Sequence, residues 1–206
     1  MSSVRQQNFL LRKEKILAMA ESLLLDNNQD ITLSELAAEL DIAKGTIYKH
    51  FKSKNQLYLE LIILNEKRLL EISQTQNQDI KTYVSQYMLY NMLNSNRTIL
   101  LHVIEEKLTN NERKLNELFD ELYRVREQRI LELKDLFGAH LKSLNSTMSI
   151  RDYLSYIWTV TYGASLLLNS TYYQKSIGSR ERLIKLYVNQ ALMTPDKLTD
   201  TKAAAE

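Results

Sequence analysis

Between residues 43 and 54 the sequence reads AKGTIYKHFKSK. Lys44, Lys49, Lys52 and Lys54 gather ammonium groups in a stretch that contains no acid, and His50 adds a ring that can charge near neutral pH. The whole chain nets only +2 at pH 7, so this positive charge is local. Lysines interleaved with the hydroxyls of Thr46 and Tyr48 are the groups that hold phosphate oxygens, so the chemistry offered here is the binding of a polyanion. Ile47 and Phe51 stand one helical turn apart and can give such a helix its apolar side.

The neighbouring elements have to position that helix. A first helical pattern runs from about Asn8 to Leu25, with Ile16, Ala20, Leu23 and Leu24 at helix spacing. DNNQD, residues 26–30, interrupts it. In ITLSEL, Thr32 can cap a second helix, Glu35 can reach back to close a capping box, and Ile31 with Leu36 can form the hydrophobic staple around it. That helix ends near Leu40, a turn follows at Asp41–Ala43, and the lysine-bearing helix spans Lys44–Phe51. Ser53 opens a further helix, with Gln56 at the capping-box position, that runs to about Ile72. Two short helices joined by a tight turn, the second one basic, read as a helix-turn-helix whose second helix fits a DNA major groove. Gly45 would let the backbone approach DNA closely. Arg5, Arg12, Lys13 and Lys15 form a second basic block, and the acids between the two blocks leave room for one basic face.

TLSELAAELDIAKGTIYKHFKSKNQLYLELI, residues 32–62, resembles the DNA-binding signature of the TetR (tetracycline-repressor-like) family of bacterial transcriptional regulators. The resemblance implies an all-α protein, with an N-terminal three-helix helix-turn-helix domain and a C-terminal helical domain for ligand binding and dimerisation. It implies DNA contacts by Thr32, Lys44, Gly45, Thr46, Tyr48, Lys49, His50 and Lys54, with Lys54 clamping the backbone from the start of its helix. Two positions depart from the family pattern: Asp41 stands where Gly is common, and Ala43 where Ser or Thr often caps the recognition helix. Purely structural roles compete at each position. Thr32 serves equally as a plain cap, Lys49 and Lys52 as solvated lysines, Tyr48 as a core residue, and Gly45 as a mere loosening of the helix.

Downstream, the pattern predicts helices at about 79–94, 97–108, 111–141, 149–173 and 179–193, stopped by Pro195 before a frayed tail. QTQNQ, residues 74–78, is the expected hinge. The division is therefore a DNA-binding domain at 1–54, a connecting helix at 53–73, and a ligand-binding and dimerisation domain at 74–206. Tyr83, Tyr87 and Tyr90 share one helix face. Tyr87, His102, Tyr123, Trp158 and Tyr162 are the candidates to line a pocket for a small, largely apolar or aromatic effector, against the simpler reading of each as a core residue. The helix 149–173, uncharged from Tyr153 onward, and the segment 179–193 need their apolar surface covered. The resemblance implies that these last two helices build a homodimer, which would set two recognition helices on a palindromic double-stranded operator.

Other classes find little support. The chain has 206 residues with 44% hydrophobic and 25% charged, the balance of a folded globular protein rather than a disordered one. The absence of cysteine removes disulfides and thiolate chemistry and suits a cytoplasmic protein. The N-terminus lacks the pattern of a secretory signal. Tyr153–Tyr173 carries no charge, but its many Ser and Thr residues argue against a membrane span. His102, Glu105 and Glu106 share a face, yet no Glu-x-x-His unit supports a helix-bundle metal site. No HExxH, phosphate-binding glycine loop or nucleophile elbow occurs, so no enzyme, metal or cofactor is expected. The expected function is a dimeric, effector-released repressor. The alternative is a DNA-binding regulator of the same fold that answers to a protein partner or to no ligand, and that could activate.

Overall fold

The computed structural model describes residues 4–27, 30–75, 79–111, 115–176 and 179–195. Its helices, in chain order, are α1 (Val4–Asn27), α2 (Leu33–Glu39), α3 (Lys44–Tyr48), α4 (Lys54–Ser73), α5 (Ile80–Leu93), α6 (Ser95–Asn111), α7 (Asn116–Ser143), α8 (Ile150–Asn169), α9 (Thr171–Ser176) and α10 (Arg180–Ala191). No strand occurs among the described residues, as the all-α expectation required. Residues 76–78 of the expected hinge, 28–29 of the DNNQD turn, 112–114, 177–178 and the tail from 196 onward lie outside the described residues.

The chain forms two compact units. One comprises Met1–Asn65 and Leu100–Tyr123, the other Glu66–Ile99 and Arg124–Glu206, so α4, α6 and α7 each contribute to both. In the first unit, Ile16, Ala20 and Leu24 of α1 pack in one core with Leu33 and Leu36 of α2, Ile47, Phe51, and Leu57 of α4. Leu101, Ile104 and Leu108 of α6, and Phe119 and Leu122 of α7, complete that core. Ile31 and Leu36, the expected staple, are both buried there.

In the second unit the core is assembled from Tyr83, Tyr87 and Met88 of α5, Leu133 and Phe137 of α7, Tyr153, Ile157 and Leu168 of α8, and Leu183 and Ile184 of α10. The polar residues of α8 are absorbed locally. Ser155, Thr159, Thr161 and Ser165 each return a hydroxyl hydrogen bond to the carbonyl four residues earlier. The expected continuous helix 149–173 is broken at Ser170, whose extended backbone (φ −74°, ψ 116°) separates α8 from α9. No helix among the described residues is long and apolar enough to cross a membrane, and no group of three or more His, Asp or Glu there could hold a metal ion.

Candidate nucleic-acid interface

The first helix of the helix-turn-helix is held at its start by a complete capping box. Thr32 Oγ1 accepts from the Glu35 N–H at 3.1 Å, and the Thr32 N–H donates to Glu35 Oε2 at 2.8 Å. That backbone N–H, together with the Thr32 side chain, holds the Glu35 carboxyl below the usual range.

The turn that follows depends on Asp41. Its φ of 49° lies in the left-handed region, where glycine is the easier residue and Asp one of the better substitutes. The chain thus adopts the conformation the usual glycine would supply. The Ile42 N–H then bonds the Ala37 carbonyl at 3.0 Å and returns the chain toward α2.

α3 begins at Ala43, which offers no side-chain cap. It remains α-helical only to Tyr48 and then tightens. The Lys49 and His50 N–H groups reach back three residues, to Thr46 and Ile47, while the Phe51 N–H again spans four. This is why the helix expected over 44–51 is assigned to 44–48. Ile47 and Phe51 are fully buried, which rotates Lys44, Gly45, Tyr48 and Lys49 outward, with Tyr48 49% exposed. Thr46 and His50 are half-buried at the edge of the same surface. A Cβ added at Gly45 would meet nothing within 4 Å, so packing inside the chain does not require glycine there.

Lys54 opens α4 and is held by Asp30, with Nζ 2.6 Å from Oδ2. The other Asp30 oxygen receives the Tyr58 hydroxyl, which in turn accepts the Ile31 N–H at 3.2 Å. Burial alone would push the Asp30 carboxyl up, but the bonds from Lys54 and Tyr58 hold it below the usual range. Burial and the Asp30 bond push the Tyr58 phenol well above its ordinary value. At the α4 start, the Gln56 N–H bonds Ser53 Oγ at 3.1 Å as expected for a cap, but the Gln56 side chain reaches the Lys52 N–H at 2.9 Å rather than that of Ser53.

His50 meets α1. Its ring lies 4.1 Å, centroid to centroid, from that of Phe9, and its buried Nδ1 has no hydrogen-bond partner. Burial, then the charges of Arg12 and Lys13, hold its pKa below 6.5. Lys13 also pairs with Glu60 and lies over the Phe51 ring. Sequence reasoning singled out neither Phe9 nor Tyr58. Only the aromatic character of these positions, each set beside leucines, could have drawn notice.

The five effector candidates are distributed over both units. Tyr87 is buried in the core of the second unit, where Trp158 and Tyr162 stack on each other at 5.2 Å with rings 8° from parallel. Trp158 is 44% exposed, whereas Tyr153 and Ile157 of the same helix are buried. His102 of α6, half-buried, and Tyr123 of α7, exposed beside Phe119, belong to the first unit. A cleft of about 240 Å³ in the second unit is lined by Leu167, Tyr173, Arg180 and Leu183 among others, and by none of the five.

Residues 16–61 match the family model for bacterial regulatory proteins of the tetR family. The HTH-type transcriptional regulator QacR of Staphylococcus aureus is 33% identical over 82 residues, which cover 39% of this chain and 44% of that protein. The chain therefore matches less than half the length of that relative. A bacterial regulatory protein of the tetR family from Rhodococcus RHA1 shares the fold with a TM-score of 0.63 and 16% identity, over 87% of this chain and 94% of its own. Salmonella enterica GusR does so with a TM-score of 0.60 and 15% identity, over 87% and 92%.

Proposed function

We propose that this chain, whose residues 16–61 match the tetR family of bacterial regulatory proteins, is a dimeric transcriptional repressor that binds a palindromic operator and is released by a small, largely apolar or aromatic effector. The observation that carries the DNA-binding part is the partition of α3. Ile47 and Phe51 are withdrawn into the core, and this leaves Lys44, Gly45, Tyr48 and Lys49 on one solvent-facing surface. A short helix presenting lysine and tyrosine in this way suits phosphate and base-edge contacts in a major groove. Thr32 and Lys54, at the starts of α2 and α4, would flank it on the phosphate backbone.

Dimerisation is supported by the outer surfaces of α8 and α10. Trp158 and Leu166 of α8, Leu186 of α10 and Met193 just beyond it are all exposed, and apolar side chains of this size are usually covered by a partner. A second copy of the chain would cover them and place a second α3 on the adjacent half-site. The effector would be taken up by the aromatic helical unit.

Selection of bound duplexes from a random DNA pool, at two salt concentrations, tests this reading. An enriched inverted repeat is expected, with affinity that falls as salt rises. Salt-sensitive binding without an enriched sequence would reduce the protein to a general DNA binder, and absence of binding at both salts would reject the regulator.

A further inference from the structure

α8 stops at Asn169, and the way the chain leaves it builds a cleft. The Ser170 N–H bonds the Leu167 carbonyl at 3.1 Å, and Ser170 Oγ accepts the Tyr173 N–H at 3.3 Å. The Gln174 side chain then turns back and donates to the Leu168 carbonyl, one of the acceptors that a helix end leaves open. α9 is thereby folded against the end of α8, and the start of α10 supplies the rest of the wall. The cleft of about 240 Å³ is lined by Leu167, Leu168, Leu183, Tyr173, Gln174 and Arg180 among others. Leu168 and Leu183 are buried, Leu167 and Tyr173 half-buried, and Gln174 and Arg180 exposed, so an apolar floor gives way to a polar mouth.

Arg180 is held in place without being neutralised. Its Nη2 donates to the Met92 carbonyl at 3.3 Å, at the C-terminal end of α5. That carbonyl is its one partner among the described residues, which leaves its other N–H donors and its charge unmet. The neighbouring acid, Glu181, pairs with Lys185 at 2.7 Å instead. The Tyr173 hydroxyl has no partner among the described residues either. Capping α5 does not by itself call for a guanidinium, because the Tyr90 and Asn91 carbonyls are taken by the neutral side chains of Asn94 and Thr98 at 3.0 Å. Between residues 171 and 182, Lys175, Arg180 and Arg182 outnumber Glu181, so the local potential is positive.

We propose that this cleft is the effector site and that the effector is a saturated monocarboxylate of medium chain length. Its alkyl chain lies on Leu167, Leu168 and Leu183, and its carboxylate accepts from Arg180 and from the Tyr173 hydroxyl. Three leucines to one ring favour an alkyl chain over an aromatic body, and an organic cation would be repelled at the mouth. The inference rests on the reading of the chain as an effector-responsive regulator and names the class of effector.

The test is thermal unfolding of the full chain with hexanoate, octanoate and decanoate below their micellar concentrations, beside octanamide and octylammonium. Octanoate is expected to raise the midpoint in a concentration-dependent way, while the amide and the ammonium do not. Each methylene between hexanoate and octanoate is expected to tighten binding by about fourfold. Arg180→Gln is expected to weaken octanoate binding by about tenfold or more. Arg180→Lys should keep part of the response, and Arg182→Gln, outside the cleft, should keep all of it. Tyr173→Phe should weaken binding by roughly severalfold, and it decides if Arg180→Gln does not fold. A flat response to all three acids, an amide or ammonium that acts as well as the acid, or an undiminished response in Arg180→Gln or Tyr173→Phe would each overturn the site. An equal loss in Arg182→Gln would do so too, by reducing the response to general charge attraction. Selection of an inverted repeat by a protein with no acid response rejects the site and leaves the regulator intact. An Arg180-dependent acid response without sequence-selective DNA binding does the reverse.

Discussion

Lys54 is not free in the protein: its ammonium lies 2.6 Å from Asp30 Oδ2, on the carboxylate that also holds Tyr58. A phosphate must compete with Asp30 for the residue proposed to clamp the DNA backbone. Asp30→Asn is therefore expected to tighten DNA binding at low salt by roughly severalfold, since it removes the competitor and a like charge near the polyanion. Lys54→Ala should weaken binding uniformly across sequences and reduce the salt slope by about 1. The pair is largely exposed, so its loss alone should cost no more than about 1 kcal/mol of stability. Titrations of DNA at several salt concentrations distinguish the cases. Equal slopes for all three proteins would remove Lys54 from the interface.

Gly45 separates stability from binding. Open space surrounds the position a Cβ would take, so Gly45→Ala meets no clash and gains helix propensity. The free protein should become more stable by about 0.5–1 kcal/mol, while operator affinity falls because the added methyl holds the backbone away from DNA. Chemical denaturation and a binding titration on the same preparation check both signs. Unchanged affinity would show that the glycine only loosens α3.

His50 links stability to pH. Its folded pKa lies below 6.5 through burial and the charges of Arg12 and Lys13, so between the two values the unfolded chain binds more protons. Stability from this site is fully present above 6.5 and is lost as pH falls through the folded value. Wild type should lose stability on acidification below pH 6.5, and His50→Gln should flatten that part of the profile. Denaturant midpoints from pH 7.5 down to 5.5 would show it, and identical profiles would dissociate the effect from His50.

Glu66, a buried carboxylate of α4, holds the guanidiniums of Arg126 and Arg129 at once, and its removal should be costly. Glu66→Leu would leave Arg126 and Arg129 without their shared partner, a loss worth about 3–5 kcal/mol for a buried pair. That corresponds to a midpoint lower by about 6–20 °C. Glu127→Gln, which removes an exposed partner of Arg151 at 2.8 Å, should leave the midpoint unchanged within error. Similar midpoints for the two variants would mean that the Glu66 cluster adds no stability.

Local chemistry was legible in the sequence and long-range pairing was not. The Thr32–Glu35 box, the special turn at Asp41 and the missing cap at Ala43 are each written within four residues, and each has its expected geometry. The alternation of Ile47 and Phe51 with lysine fixed which side of α3 is buried. Nothing local marks Leu100–Tyr123 as part of the same unit as residues 1–65, because its leucines would fit any helical core. Glu66 stands in LNEKRLL, which reads as an ordinary surface face, and only the convergence of Arg126 and Arg129, sixty residues later, makes it a core residue. The break at Ser170 was missed because a serine in an uncharged helix usually bonds back to a carbonyl, as Ser165 does.

α3 is a poor helix by its own resources. It lacks a side-chain cap, carries a glycine in its first turn and tightens after five residues, so Ile47 and Phe51 hold it in shape. The amides of such a segment exchange with solvent through local opening, at a lower free energy than the unfolding of the core beneath them. Partners on a phosphate backbone would suppress that opening. Part of the affinity is then spent on ordering α3, and a mismatched operator that fails to order it loses more than the base contact itself.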